Sequence, residues 1–96
     1  MSHAWEILNK AVHCLAGTSS QRERLKEACV EMWVLRSEEV PERIRKDFVT
    51  IKNDVGRIRP EDEKGAIQAT LDKMSDAEID DTVDRIIHVY DALRDE

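Results

Sequence analysis

The segment that decides the fold runs from Ser75 to Arg94 and reads SDAEIDDTVDRIIHVYDALR. Its apolar residues recur at intervals of three and four, which places them along one face of an α-helix. They are Ile79, Val83, Ile86, Ile87, Tyr90 and Leu93. Ser75 and Glu78 have the spacing of a capping box, in which each side chain binds the other residue's backbone N–H. The segment therefore predicts a helix over residues 76–94 with one buried face.

The same periodicity extends towards the N-terminus and predicts four further helices, over residues 4–17, 20–36, 41–56 and 60–74. Pro41 and Pro60 fit first turns of helices, where the missing N–H costs nothing. No segment shows the sustained alternation of a strand. Because the connections are short, neighbouring helices are expected to be antiparallel. We predict an all-α, up-and-down bundle of about five helices.

The composition fits one domain that spans residues 1–96. A chain of 96 residues, 41% of them hydrophobic and 38% charged, is long enough for one core and too short for two. It has no apolar run long enough for a membrane span and no signal-peptide pattern at its start. We therefore expect a cytoplasmic protein without a membrane partner.

The charge distribution disfavours nucleic acid as a partner. The formal net charge is -6, and residues 60–96 alone hold 12 acidic and 4 basic residues. The third predicted helix and its end carry most of the clustered basic residues, but Glu42, Asp47 and Asp54 are interleaved with them, which indicates a mixed solvent face. The basic residues are Arg43, Arg45, Lys46, Lys52, Arg57 and Arg59.

No catalytic motif is present in the sequence. It lacks a glycine-flanked serine, a phosphate-binding glycine loop and paired cysteines with metal or redox spacing. His13 and Cys14 are neighbours, but adjacent helical positions point about 100° apart. Cys14 and Cys29 are expected to be packed thiols. We predict a protein that is not an enzyme, with no catalytic residue, cofactor or metal.

One stripe of polar residues on the last helix is a candidate site. Its members recur at intervals of three and four and are Asp80, Asp84, His88, Asp91 and Asp95. The simplest interpretation is the solvated face of an amphipathic helix. Alternatives are a docking surface for a basic partner, an acidic mimic of nucleic acid, and a metal-dependent enzyme or metal sensor using His88 with Asp84 and Asp91. The metal alternative needs further ligands from a second helix.

A second candidate site is apolar. Val30, Trp33 and Val34 fall outside the inner stripe of the second helix, so either another helix or another chain is expected to cover them. Small bundles commonly form twofold dimers, which favours a homodimer through this surface. The sequence thus predicts a non-enzymatic interaction or regulatory module of the adaptor, inhibitor or immunity type, whose protein partner the residues do not identify.

Overall fold

The structure, a computed structural model, describes residues 3–58 and 65–94. Within these ranges the chain forms five α-helices, one short 3₁₀ turn and no strand. In chain order the elements are α1 (His3–Leu15), α2 (Gln21–Trp33), the 3₁₀ turn (Ser37–Glu39), α3 (Glu42–Val55), α4 (Ala66–Lys73) and α5 (Asp76–Arg94). The prediction of an all-α bundle of about five helices is confirmed.

Serine side chains cap the starts of α2 and α5. The backbone N–H of Glu23 donates to Oγ of Ser20 at 3.3 Å. The backbone N–H of Glu78 donates to Oγ of Ser75 at 3.1 Å, and the Ser75 N–H donates to Oε1 of Glu78 at 3.1 Å. The predicted capping box is therefore present. A helix start capped in this way is typically about 1 kcal/mol more stable than one capped by alanine.

The end of α2 lies three residues earlier than predicted. The helix stops at Trp33 because Arg36 is already extended, with φ -85° and ψ 151°. The Arg36 backbone N–H donates to Oε1 of Glu39 at 3.0 Å, which diverts the chain into the 3₁₀ turn. Val34 consequently follows the last turn of α2 as its C-cap. Similarly, α1 ends at Leu15 and not at the predicted Gly17.

The fourth helix begins at Ala66, whereas the sequence pattern predicted a start at Pro60. Residues 59–64, including Pro60, lie outside the described ranges. Gly65 has a φ of +85°, in the left-handed region that glycine adopts without steric cost. The prediction of one continuous helix over residues 60–74 is therefore wrong at Gly65, whose backbone is not helical. The helix that packs against α2 from this part of the chain is the shorter α4.

Helix α5 contacts α1, α2 and α3 and supplies a large part of the core. Its buried residues are Ile79, Thr82, Ile86, Val89 and Leu93. Val83 and Tyr90 are half-buried, and Ile87 remains 37% exposed. The buried face is thus rotated about the helix axis relative to the predicted face, by less than the roughly 100° that separates consecutive residues. Burial of Thr82 is possible because its hydroxyl donates to the Glu78 carbonyl at 2.8 Å.

Candidate functional site

The three apolar residues predicted to lie outside the core are exposed. Val30 is 52% exposed, Trp33 42% and Val34 66%, which makes them three of the four exposed large hydrophobic residues in the described chain. We call this surface the α2 patch. Scattered single apolar residues are normal on protein surfaces, but a contiguous group indicates a contact surface. No described helix covers the patch.

Trp33 also makes contacts within its own chain. Its indole ring lies against Gly56 at the end of α3, and Nζ of Lys52 lies 4.8 Å from the ring centroid. The same ammonium group donates to the Leu35 carbonyl at 3.0 Å. Trp33 is therefore held in place by α3 while a large part of its surface faces solvent.

The acidic stripe of α5 is exposed wherever the structure describes it. Asp80, Asp84, His88 and Asp91 are exposed, and Asp95 lies outside the described residues. Nε2 of Gln21 donates to Oδ1 of Asp80 at 3.1 Å, and Asp91 lies 3.6 Å from Nη1 of Arg94. These contacts are those of a solvated helix face.

A shallow depression of about 480 Å³ brings part of this stripe next to α3. Asp84 and His88 line it from α5, and Asp47 and Thr50 line it from α3. The second helix that the metal hypothesis required does contribute a carboxylate here. Nevertheless, the described residues contain no group of three or more His, Cys, Asp or Glu side chains arranged to hold a metal ion.

Several basic residues of α3 are bound within the chain. A guanidinium group or an ammonium group that caps a carbonyl is less available to an external phosphate. Arg43 donates to the carbonyl of Ala92 at 2.6 Å, Arg45 to those of Ser37 and Val40, and Lys52 to that of Leu35. Arg59 lies outside the described ranges.

A larger groove, about 620 Å³, lies between α2 and α4 and was not found from the sequence. We call it the α2–α4 groove. Its walls carry Glu23, Glu27 and Glu31 from α2, and Gln68 and Asp72 from α4. The carboxylates at intervals of four were visible in the sequence. The opposite wall was not, because more than 35 residues separate it from α2 along the chain.

Arg22 fixes the two walls of this groove relative to each other. Its guanidinium group donates to the Leu71 carbonyl, to the Met74 carbonyl at 2.8 Å and to Oδ1 of Asp76 at 2.9 Å. It thereby adds a second donor to the Leu71 carbonyl, which already accepts from the Met74 N–H, and provides a donor for the carbonyl of Met74, the C-cap of α4. Nζ of Lys26 also bridges the groove and donates to Oε1 of Gln68 at 2.9 Å.

The two cysteines are free thiols in different environments. Burial raises the pKa of Cys29 to about 12. Cys14 lines the α2–α4 groove, and its pKa is raised by burial and, to a smaller extent, by the carboxylates of Glu31 and Glu27. Nδ1 of His13 lies 2.7 Å from the Asn9 carbonyl oxygen of its own helix. Neither thiol therefore has the lowered pKa of a reactive cysteine.

Comparisons with protein families, curated proteins and solved structures found no match for this chain. Among the described helices, none combines the length and apolar content needed to cross a bilayer.

Proposed function

We propose that the chain is a non-enzymatic cytoplasmic interaction module, of the adaptor, inhibitor or immunity type, that self-associates through the α2 patch. The exposure of Val30, Trp33 and Val34 on one side of α2 supports this proposal more than any other observation. Burying such side chains against a partner removes apolar surface from water, which favours association. The free thiols of Cys14 and Cys29 suit a reducing compartment.

A second copy suits the charges that flank the patch. Glu27, in the middle of α2, lies on the N-terminal side of the patch, and the ammonium group of Lys52 lies over Trp33 on its C-terminal side. A twofold axis through the patch, perpendicular to α2, exchanges these two sides. The acidic side of each copy then faces the basic side of the other, which is the self-complementarity that an isologous interface needs.

The size of the patch sets the expected affinity. Stable interfaces bury about 800 Å² on each partner. Three partly exposed side chains provide only a fraction of that area, and one of them, Trp33, already contacts Gly56. The dimer should therefore be weak, with a dissociation constant in the micromolar range, and in rapid exchange with the monomer.

The mass of the protein in solution tests this proposal. We expect light scattering to show a mass that rises towards the dimer with concentration, and Val34→Lys to keep the protein monomeric. A lysine at the C-terminal end of α2 interacts favourably with the helix dipole, so this change should not unfold the chain. Within the interface, however, it replaces apolar surface by an ammonium group that would have to lose its hydration. Ile87→Lys, at the exposed apolar residue of α5, is the matched control and should leave the dimer intact.

A wild-type protein that stays monomeric at sub-millimolar concentration would contradict self-association. Equal loss of the dimer in Val34→Lys and Ile87→Lys would show that association is not centred on the α2 patch.

A further inference from the structure

We propose that the α2–α4 groove binds a basic amphipathic helix of a partner protein. This inference goes beyond self-association, because it concerns a different surface and a different occupant. Of the α2 patch, only Val30 also lines the groove.

The groove combines the two kinds of surface that such a helix requires, an apolar one and an acidic one. Val30, which is 52% exposed, supplies most of the apolar surface of the groove, the half-buried Cys14 adds to it, and the buried Leu71 closes the floor beneath them. Carboxylates stand above them. Helices that dock into grooves insert an apolar stripe and place their charged flanks against the rim. An apolar floor below an acidic rim therefore selects a helix with an apolar stripe between Lys or Arg flanks.

The acidic rim has the spacing of a helix. Glu23, Glu27 and Glu31 follow each other at intervals of four residues along α2, or about 6 Å per step at the helical rise. Lys or Arg residues at intervals of three or four on a partner helix advance by nearly the same distance. An incoming helix that runs along α2 can therefore pair several cations with this rim at once.

The lining of the groove is net negative, with four acidic residues against Arg22 and Lys26, and the contacts of these two cations lie elsewhere than on the rim. Arg22 is bound to carbonyls of α4 and to Asp76, and Lys26 is bound to the uncharged amide of Gln68. Within the described part of the chain, Glu27 and Glu31 make no ion pair. An incoming cation would thus gain partners without displacing an existing salt bridge, which favours a basic occupant over a neutral or acidic one.

A designed peptide of leucine and lysine, with leucine at helical intervals of three and four, is the probe for the test. The binding is measured in the Val34→Lys background, so that self-association does not contribute. The two glutamines of the chain give a readout of position by NMR. The side-chain amide of Gln68 lies in the groove, whereas that of Gln21 donates to Asp80 of the acidic stripe.

We expect the peptide to bind with salt-sensitive affinity and to shift the Gln68 side-chain amide while leaving that of Gln21 unchanged. Glu27→Lys should weaken binding about tenfold or more, since it replaces an attractive charge by a repulsive one. Asp84→Lys, the same change of charge at an exposed position of α5, should have little effect. Peptides with glutamate in place of lysine, or serine in place of leucine, should bind much more weakly.

Shifts confined to Gln21, or a loss of binding in Asp84→Lys that exceeds the loss in Glu27→Lys, would assign the peptide to the acidic stripe and overturn the groove proposal. Equal affinity for the leucine and serine peptides would also overturn it, because the apolar floor would then contribute nothing. The outcome does not depend on the dimer. A wild-type protein that is monomeric, yet binds the peptide at Gln68, would remove self-association and leave the groove proposal in place.

Discussion

The ring of Trp33 and the backbone of Gly56 are in direct contact. A Cβ atom placed on Gly56 would lie 2.7 Å from Cη2 of Trp33, closer than non-bonded carbon atoms approach in folded proteins. The glycine at the end of α3 therefore provides the space in which the tryptophan at the end of α2 lies. Lys52 of α3 lies over the same ring. The Trp33 side chain therefore connects the end of α2 with the end of α3 and still contributes to the α2 patch.

Gly56→Ala should destabilise the protein by about 1–2 kcal/mol. Overpacking typically costs about 1–3 kcal/mol, and the lower entropy of the unfolded alanine chain offsets a part of that cost. The backbone itself accepts alanine, since φ of Gly56 is -114°. Urea unfolding gives the free energy, and Trp33 emission in a Trp5→Phe background should shift as the ring moves.

Gly17→Ala is the control for this change, because a Cβ there meets its nearest atom, the Cys14 carbonyl oxygen, at 3.3 Å and lies far from Trp33. Combining Gly56→Ala with Trp33→Ala should remove most of the cost of the alanine. If the cost of Gly56→Ala is the same with and without the indole ring, steric contact with Trp33 is not its cause.

The sequence predicted those features that depend on residues within a turn or two of each other. The five helices, the Ser75–Glu78 capping box and the position of the α2 patch outside the core all follow from local periodicity. The end of α2 was missed because the Glu39 carboxylate competes for the Arg36 N–H, which periodicity does not register. Thr82 was missed because hydropathy alone does not count the hydrogen bond that satisfies its hydroxyl.

Contacts between distant segments were beyond prediction from one sequence. The contact of Trp33 with Gly56 and the three hydrogen bonds of Arg22 depend on how helices are placed against each other. The α2–α4 groove depends on the same placement. The spacing of Glu23, Glu27 and Glu31 was visible, but it indicated only a solvated face until α4 was seen beside it.

Arg22→Met should destabilise the protein by about 1–3 kcal/mol, because carbonyls of α4 lose a charged donor and are left only partly hydrated. Arg22→Lys should recover little of this loss, since one ammonium group cannot reach the Leu71 and Met74 carbonyls and Asp76 together. Chemical denaturation of both variants gives the comparison.

Asp76→Asn separates the carbonyl contacts from the ion pair. The Asp76 side chain is fully exposed, so its pair with Arg22 should contribute little to stability, and Asp76→Asn should cost much less than Arg22→Met. A loss in Asp76→Asn as large as that in Arg22→Met would mean that the ion pair, and not the contacts with the carbonyls, is the main contribution of Arg22.

Ser75→Ala should cost about 1 kcal/mol at neutral pH by removing the cap of α5. Glu78, its partner in the capping box, makes this stabilisation depend on pH. The backbone N–H of Ser75, and then its side chain, hold the pKa of Glu78 below its ordinary value of 4.5. A lowered carboxylate pKa stabilises the folded state above that ordinary value, and the effect is lost as the pH falls through the lowered pKa. Glu78→Gln should therefore be less stable than the wild type at pH 7 by an amount that shrinks in acid.

The double variant Ser75→Ala with Glu78→Ala tests whether the two residues act together, because glutamine at position 78 would keep an acceptor for the Ser75 N–H. Because each completes the other's capping bond, the sum of the single losses should exceed the loss in the double variant. Additive losses, or a Glu78→Gln effect that is unchanged in acid, would contradict reciprocal capping.

Glu31→Gln should make Cys14 more reactive. The carboxylates of Glu31 and Glu27 add to burial in raising the pKa of the Cys14 thiol, so removing the charge of Glu31 lowers this pKa. At a fixed pH between 7 and 8 a larger fraction of Cys14 is then thiolate, and alkylation by iodoacetamide is faster. Cys29, whose pKa burial raises to about 12, serves as an internal control and should stay slow in both proteins. In concentrated urea the two proteins should react at equal rates, because the effect belongs to the folded groove. An unchanged Cys14 rate in folded Glu31→Gln would mean that the Glu31 carboxylate does not act on the thiol across the groove, and that burial alone raises the pKa of Cys14.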